Sequence, residues 1–374
     1  MKKRILFITS TYRTGEKVYP ILDELSLHCD IDVMNLYQMS PLTAWDGSID
    51  LRQNFYNKCD SLGLISIAGP EYFQDKEKRV SAYKDFIDSF DNILKNHYHL
   101  VFFDNNIAIK SGKTSSIYKY FYKKGITVVG APHGNREAKG YKVLKHIQTL
   151  YDYSFVFGKK EINELVKADK KNGYHKSRLL AGGIPANDKL KHYKKTNNYI
   201  LIIPNFTDPE ETKGITRHFS SFTKKEFDNL RLLSLADKYG CGIVVKEKKK
   251  LFHKNNTLKK ALRCYKDVKC ISECKDDNKL IADAMCVISA PSTLAFKSIQ
   301  IGIPTVLLKK HGMVGNFYDF SGLVNADKKS IDDALSLQIK NGKCIDFIEN
   351  TLEGGLSFNS TKVYIDNILK LLSS

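Results

Sequence analysis

The chain has 374 residues, of which 42% are hydrophobic and 27% are charged. At roughly 150 residues per domain this length predicts two domains, and the composition excludes a disordered, collagen-like or small disulfide-stapled protein. Lys and Arg number 59 against 41 Asp and Glu, a net charge of +18. Such a field attracts polyanions without choosing among nucleotides, nucleic acid and anionic lipid, and a scattered Lys-rich surface is the alternative explanation.

Short β-rich apolar runs alternate with amphipathic stretches along the first half of the chain. The predicted strands are Arg4–Ser10, Ile31–Asn35, Gly63–Ala68, His99–Asp104, Ile126–Gly130, Ser154–Phe157 and Arg178–Ala181. The predicted helices between them include Val80–Leu94, Ser115–Lys124 and Glu137–Leu150. This order predicts βαβ units on a parallel sheet whose two faces are covered by helices.

The pattern breaks near residue 190, where the polar, basic stretch Lys189–Asn198 is a predicted linker. The strands predicted after it are Tyr199–Ile203, Gly242–Lys246, Val268–Ile271, Cys286–Ser289 and Thr305–Leu308. The helices predicted there are Lys224–Lys238, Asn278–Asp283, Ser292–Ile301 and a last one near Thr361–Leu372. We therefore expect an α/β protein with Rossmann-like domains over 1–190 and 191–355, and a C-terminal helix, 356–374, that packs back on the first domain.

Neither a membrane span nor a metal site is predicted. No run of 18 apolar residues occurs, so no helix is expected to cross a bilayer. The eight cysteines form no CxxC pair, which favours free thiols in a reducing cytoplasm over a zinc site. The expected location is cytoplasmic, with peripheral association at the inner face of the membrane through basic residues.

A histidine turn follows one of the predicted strands, in the sequence Pro132-His133-Gly134. An imidazole at the carboxyl end of a strand can act as a base near neutral pH, and a glycine beside it leaves room for a substrate. A histidine with a purely structural role in a loop is the alternative. Further along, Gly182–Leu190 forms a tight turn that is either a domain hinge or part of the lining of a cleft.

A helix start after a buried strand is the most informative segment. The strand ends at Ser289, and Pro291 then precedes Ser292 and Thr293, either of which can cap a helix. The free amides and positive end of such a helix form an anion site suited to a phosphate or diphosphate. Lys246, at the end of another strand, could add a positive charge, although a solvated charge run is the usual explanation for its neighbours.

Taken in order, these motifs resemble the GT-B class of nucleotide-dependent transferases. They are most similar to the CDP-glycerol glycerophosphotransferases of teichoic acid and capsule synthesis. The similarity, over roughly residues 125–310, rests on Pro132-His133-Gly134, Tyr151-Asp152-Tyr153, Gly183–Leu190, Asn205–Asp208 and Pro291-Ser292-Thr293. The chain departs from that family after Lys246, where a His-Pro is absent. Its Ser289–Thr293 turn is also similar to nucleotide-sugar transferases and UDP-N-acetylglucosamine 2-epimerases.

The resemblance implies an inverting, metal-independent transferase with two domains facing a central cleft. It would move a glycosyl or glycerol-phosphate group from a CDP, CMP or UDP donor to a surface glycan or lipid-linked acceptor, with no cofactor. The expected base is His133. The donor is expected on the C-terminal domain and the acceptor on the N-terminal domain. Donor contacts are expected from Ser289, Pro291, Ser292, Thr293 and Lys246, and acceptor contacts from Gly134, Arg136, Arg13 and Asp188.

Two other functions stay open at the level of the sequence. A sugar-nucleotide epimerase on the same fold would need acid and base carboxylates in the cleft, and the sequence identifies none of them. A basic nucleic-acid-binding protein is compatible with the charge. However, no motif of interleaved aromatic and basic residues is present, so no specific nucleic acid is expected as a partner.

Overall fold

The computed structural model divides the chain into two compact units. The first contains Met1–Asp188 and Thr351–Ser374, and the second contains Lys189–Asn350, against predicted boundaries at 190 and 355. The assignment of acceptor and donor roles to the two units stays a prediction. The residues that the structure describes are 2–9, 19–35, 57–68, 76–94, 96–104, 113–132, 151–168, 179–204, 222–247, 257–272, 274, 276–308, 320–326 and 329–373.

The first unit is built on a parallel sheet with the strand order β3-β2-β1-β4-β5-β6-β7. Its strands are β1 (Arg4–Thr9), β2 (Asp30–Asn35), β3 (Ile65–Ala68), β4 (Leu100–Phe103), β5 (Thr127–Gly130), β6 (Tyr153–Val156) and β7 (Leu179–Ala181). The helices between them are α1 (Pro20–His28), α2 (Lys76–Asp88), α3 (Phe90–Ile93), α4 (Lys113–Lys123) and α5 (Lys159–Ala168). The predicted helix Glu137–Leu150 lies outside the described residues.

The central strands of this sheet are buried on both faces, which explains the uninterrupted apolar runs Ile5–Ile8 of β1 and Leu100–Phe103 of β4. Alternate residues of a strand point to opposite faces, so Phe7 and Phe102 join one hydrophobic core while Ile8 and Phe103 join the other. Phe7 and Phe102 stack with ring centroids 5.0 Å apart.

The second unit has a parallel sheet with the strand order β10-β9-β8-β11-β12-β13. Its strands are β8 (Tyr199–Ile203), β9 (Gly242–Lys246), β10 (Val268–Ile271), β11 (Ala284–Ser289), β12 (Thr305–Leu307) and β13 (Val324–Asn325). Its helices are α6 (Lys224–Asn229), α7 (Leu232–Tyr239), α8 (Thr257–Leu262), α9 (Asp277–Ala282), α10 (Thr293–Gln300), α11 (Ile331–Asn341) and α12 (Ile345–Thr351). The two sheets confirm the predicted α/β class with two Rossmann-like domains.

The structure corrects the single helix predicted over Lys224–Lys238. That segment forms α6 and α7, separated at Arg231, whose backbone has φ 50° and ψ 42°. A residue other than glycine in the left-handed region costs about 1–2 kcal/mol in conformational free energy. Phe227 of α6 and Leu235 of α7 nevertheless both lie in the same core. The two-residue edge strand β13 was not predicted because it is too short to show a period.

The predicted linker Lys189–Asn198 is also corrected in part. Its first residues continue a 3₁₀ helix, Pro185–His192. The rest has no regular secondary structure. It is hydrogen-bonded to other residues of the second unit, since the Tyr193 hydroxyl donates to Asp276 Oδ2 at 2.8 Å and Thr196 Oγ1 donates to Asp283 Oδ1 at 2.9 Å. It is therefore a bound strap of the second unit.

The chain ends in α13 (Ser360–Ser373), which belongs to the first unit. Tyr364 of this helix is fully buried and stacks on Phe155 of β6 with ring centroids 3.9 Å apart. The C-terminal segment therefore completes the first unit, although it follows the second unit in the sequence.

Candidate functional site

Each sheet has a topological switch point, where the chain first builds strands to one side and then to the other. In the first sheet the switch lies between β1 and β4, and in the second it lies between β8 and β11. Open parallel α/β sheets bind ligands outside the carboxyl ends of the strands at this point. The residues that end these four strands are therefore the candidates for function, and each unit is considered by itself.

A buried carboxylate marks the switch point of the first unit. Asp104 directly follows β4 and is 1% exposed, and its backbone N–H donates to Ile8 O of β1 at 3.0 Å. Thr9, the last residue of β1, donates its hydroxyl proton to Asp104 Oδ2 at 2.8 Å. The hydroxyl of Tyr19, which precedes α1, lies 3.4 Å from Thr9 Oγ1. A carboxylate so placed can transfer protons.

The sequence predictions included none of these three side chains as site residues. Asp104 was the last residue of a predicted strand and Thr9 lay inside another, and 95 residues separate them. The signal that could have identified Asp104 is a charged residue at the carboxyl end of an otherwise apolar buried strand, because such a position faces the ligand edge of the sheet.

The second switch point presents hydrogen-bond donors. Ser289 ends β11, is fully buried and donates to Ala290 O at 2.6 Å. Pro291 is buried, and Ser292 caps α10 by accepting from Ala295 N–H at 3.3 Å. Ser292 Oγ is 3.4 Å from Ser289 Oγ. The predicted cap is thus confirmed at Ser292, and Thr293 is the first residue of α10.

The start of α10 has the local chemistry of an anion site. The first N–H groups of a helix lack partners within it, and the aligned peptide dipoles favour negative charge there. Ser292 and Thr293 are half-buried residues at this helix start. A phosphate contact at Ser289, Pro291, Ser292 or Thr293 stays a prediction.

Lys246 is engaged in an ion pair. Its Nζ lies 3.0 Å from Asp277 Oδ1 at the start of α9, and its side chain is only 13% exposed. It ends β9, which is two strands from β11 across β8, a distance of about 10 Å at 4.8 Å between neighbouring strands. Its phosphate contact stays a prediction. Such a contact requires the Lys246 ammonium group to be shared with Asp277 or released from it.

Neighbouring groups at this edge are held in defined protonation states. Burial pushes the pKa of Asp276 upward, but hydrogen bonds from Lys279 N–H, the Tyr193 hydroxyl and Asn278 N–H lower it below its ordinary value. Burial, aided by the charge of Glu247, raises the pKa of the Cys270 thiol to about 11. That thiol is therefore protonated at neutral pH, which argues against nucleophilic thiolate chemistry there.

The remaining predicted site residues are not placed at these edges. His133, Gly134, Arg136 and Arg13 lie outside the described residues. Asp188 accepts from Ser360 N–H at 3.0 Å and from Thr361 N–H at 2.7 Å, so both of its oxygens cap α13. Its predicted acceptor contact stays a prediction, while the observed bonds give it a structural role in the first unit.

The described part of the chain contains neither a candidate metal site nor a candidate membrane-spanning helix. No group of three or more His, Cys, Asp or Glu side chains there could hold a metal ion. In the same residues, no helix has the length and apolar character needed to cross a membrane.

Solved structures are similar to this chain over nearly its whole length. UDP-GlcNAc 2-epimerase from Neisseria meningitidis, bound to UDP-GlcNAc, matches 98% of this chain and 100% of its own, at 13% identity and a TM-score of 0.64. The Methanocaldococcus jannaschii UDP-GlcNAc 2-epimerase matches 98% and 99%, at 11% identity and 0.62. Anabaena HepE, in complex with UDP and glucose, matches 99% of each chain at 11% and 0.59. No family model and no curated protein matches the sequence.

These similarities confirm the predicted GT-B fold and correct the predicted function. The prediction of an inverting glycosyl or glycerol-phosphate transferase is wrong, because the similar structures include several UDP-GlcNAc 2-epimerases. The particular resemblance to CDP-glycerol glycerophosphotransferases is not supported. The physical reason is that transferases and epimerases on this fold share the order of strand ends, and function depends on the side chains placed there.

Proposed function

We propose that the chain is a sugar-nucleotide 2-epimerase that acts on a UDP-N-acetylhexosamine. The observation that carries the proposal is the full-length similarity to the Neisseria meningitidis 2-epimerase bound to UDP-GlcNAc. The first unit adds the carboxylate that the sequence did not identify, Asp104 at a switch point. The second unit adds a capped helix start suited to a diphosphate, at Ser292.

Inversion at C2 of the sugar requires one C–H bond to break and another to form on the opposite face. C2 of a hexosamine is not next to a carbonyl, so its proton is weakly acidic. The electron pair of the C2–H bond can instead form a C1–C2 double bond while UDP leaves C1. Return of UDP to C1 and of a proton to the other face of C2 then completes the reaction without a net change in atoms.

This chemistry needs an acid–base group and an anion-binding group, and each unit, considered by itself, carries one candidate. Asp104 would accept or return a proton at C2, since a buried carboxylate at the ligand edge can serve as base and then as acid. The N-terminus of α10, with the hydroxyls of Ser292 and Thr293, would stabilise the negative charge of the departing diphosphate. No acceptor molecule is needed, in contrast to a transferase.

The test is incubation with UDP-GlcNAc in D₂O, followed by proton NMR. The expected result is loss of the C2 proton signal, appearance of the manno epimer and a small amount of free UDP, all without any acceptor. UDP-glucose, whose C2 carries a hydroxyl in place of the acetamido group, tests specificity for the amino sugar. Unchanged UDP-GlcNAc with no deuterium at C2 after prolonged incubation would falsify the proposal.

A further inference from the structure

We infer that Thr9 is a positioning residue for Asp104, setting the orientation of its carboxylate for proton transfer. The inference rests on the proposed function and deepens it. Two consecutive residues of β1 hold Asp104: Ile8 through its carbonyl oxygen, which accepts from Asp104 N–H, and Thr9 through its hydroxyl. The first contact fixes the backbone after β4, and the second fixes the Oδ2 atom of the carboxylate.

The chemistry of Thr9 suits this task. Threonine is β-branched, so its side chain has few rotamers in a strand. Thr9 is fully buried, and its hydroxyl is therefore preset toward Asp104 at 2.8 Å. A hydrogen bond to an ionised carboxylate is stronger and more directional than one between neutral groups. The Tyr19 hydroxyl lies 3.4 Å from Thr9 Oγ1.

A second buried carboxylate in the same sheet, that of Asp32, has a structural role and can be compared with Asp104. Asp32 of β2 is also 1% exposed. It accepts from the Tyr98 hydroxyl at 2.7 Å and Asn96 Nδ2 at 2.9 Å, and Arg4 lies 3.5 Å away. These contacts lie toward the amino ends of the strands. Asp104 lies at the opposite edge, where parallel sheets bind ligands, and its contact with Thr9 orients it there.

The experiment compares Thr9→Val, which keeps the shape and removes the hydroxyl, with Thr9→Ser, which keeps the hydroxyl. Misplacement of a catalytic group by about 1 Å can cost 10²-fold in rate, so we expect Thr9→Val to lower kcat by roughly 10- to 100-fold. The KM for UDP-GlcNAc should stay within about twofold, because the nucleotide is assigned to the second unit. Thr9→Ser should restore kcat to within about threefold of wild type.

The primary deuterium isotope effect at C2 separates positioning from a loss of folded protein. A smaller folded fraction lowers the apparent kcat but leaves this effect unchanged, whereas a misplaced base makes C–H cleavage slower and increases it. We expect the effect on kcat/KM to increase in Thr9→Val and to return to the wild-type value in Thr9→Ser. An unchanged effect, or equal losses in both variants, overturns the inference.

A crystal structure of Thr9→Val provides a readout that does not depend on catalysis. The inference requires the Asp104 carboxylate to rotate away from its wild-type orientation in that structure. A carboxylate that keeps its place overturns the inference even if the wild type proves to be an epimerase. A wild type that exchanges no proton at C2 overturns the proposed function, and rotation of Asp104 in the variant then still establishes the orienting contact.

Discussion

The two sheets have the same kind of switch point, but the side chains there have opposite chemistry. The first unit places a buried acidic group, Asp104, against a hydroxyl donor, Thr9. The second places the start of α10 after β11, where Ser292 caps the helix, and Lys246 at the end of β9, two strands away, is paired with Asp277. One edge therefore presents a buried carboxylate, and the other presents the hydroxyl and N–H groups at the start of a helix.

Fold similarity alone does not distinguish the two edges. Parallel strands and helices recur in both units, and the local anion site arises wherever a helix starts after a strand. The carboxylate, by contrast, depends on which side chain stands at one position. A second difference is chain continuity: the second unit is a single segment, whereas the first needs Thr351–Ser374 to be complete.

The largest expected effect comes from Asp104→Asn. Removal of the acid–base group should lower turnover of UDP-GlcNAc by about 10²- to 10⁴-fold, the usual contribution of general acid–base catalysis. Affinity for UDP, measured by calorimetry, should stay near the wild-type value. Asp32→Asn is the matched control, since it changes an equally buried carboxylate of the same sheet. It should lower thermal stability while turnover per folded molecule is retained, and equal loss of turnover in both variants would break the comparison.

A stability effect of intermediate size is expected for Gly183→Ala, which tests how the first unit is completed. Gly183 has φ +71°, and a Cβ there would overlap Glu353 O and Ser360 Oγ of the returning segment. We expect a loss of about 2–4 kcal/mol in the free energy of unfolding, measured by urea denaturation, since backbone strain and steric overlap add.

Gly125→Ala is the control for the backbone part of this effect. Gly125 has φ +68°, and among the residues that the structure describes no heavy atom lies within 4 Å of the added Cβ. Left-handed strain alone should therefore lower the stability, by about 1–2 kcal/mol. Equal destabilisation in the two variants would mean that the contact with the returning segment contributes nothing.

The smallest expected effect concerns the second switch point. Replacing Ser292 and Thr293 together by Ala should weaken UDP binding by about 1–3 kcal/mol, the scale of hydrogen bonds to a charged group. Ser330→Ala is the control, because Ser330 caps α11 by accepting from Asp333 N–H at 3.1 Å. Loss of this cap should lower the free energy of unfolding by about 1 kcal/mol. The affinity for UDP measured by calorimetry should stay unchanged. Retained affinity in the folded double variant would exclude the start of α10 as the phosphate site.

Local patterns in the sequence determined much of the fold. Uninterrupted apolar runs such as Ile5–Ile8 and Val287–Ile288 identified strands covered on both faces, because the hydrophobic effect acts on each run wherever its partners lie. The order Pro291-Ser292 identified a helix start, because proline presets φ and a serine oxygen satisfies a nearby N–H. Each of these inferences concerns residues only a few positions apart.

Only the tertiary structure decided which side chains meet. Thr9 and Asp104 are 95 residues apart and touch because β4 pairs with β1. Asp188 caps α13, a helix that begins 172 residues later, and no local pattern indicated this contact. Arg231 interrupts a predicted helix with a left-handed backbone conformation that no neighbouring glycine or proline indicates in the sequence. The order of the strands and the packing of α13 on the first unit depend on burial over the whole chain. No local sequence pattern determines that burial.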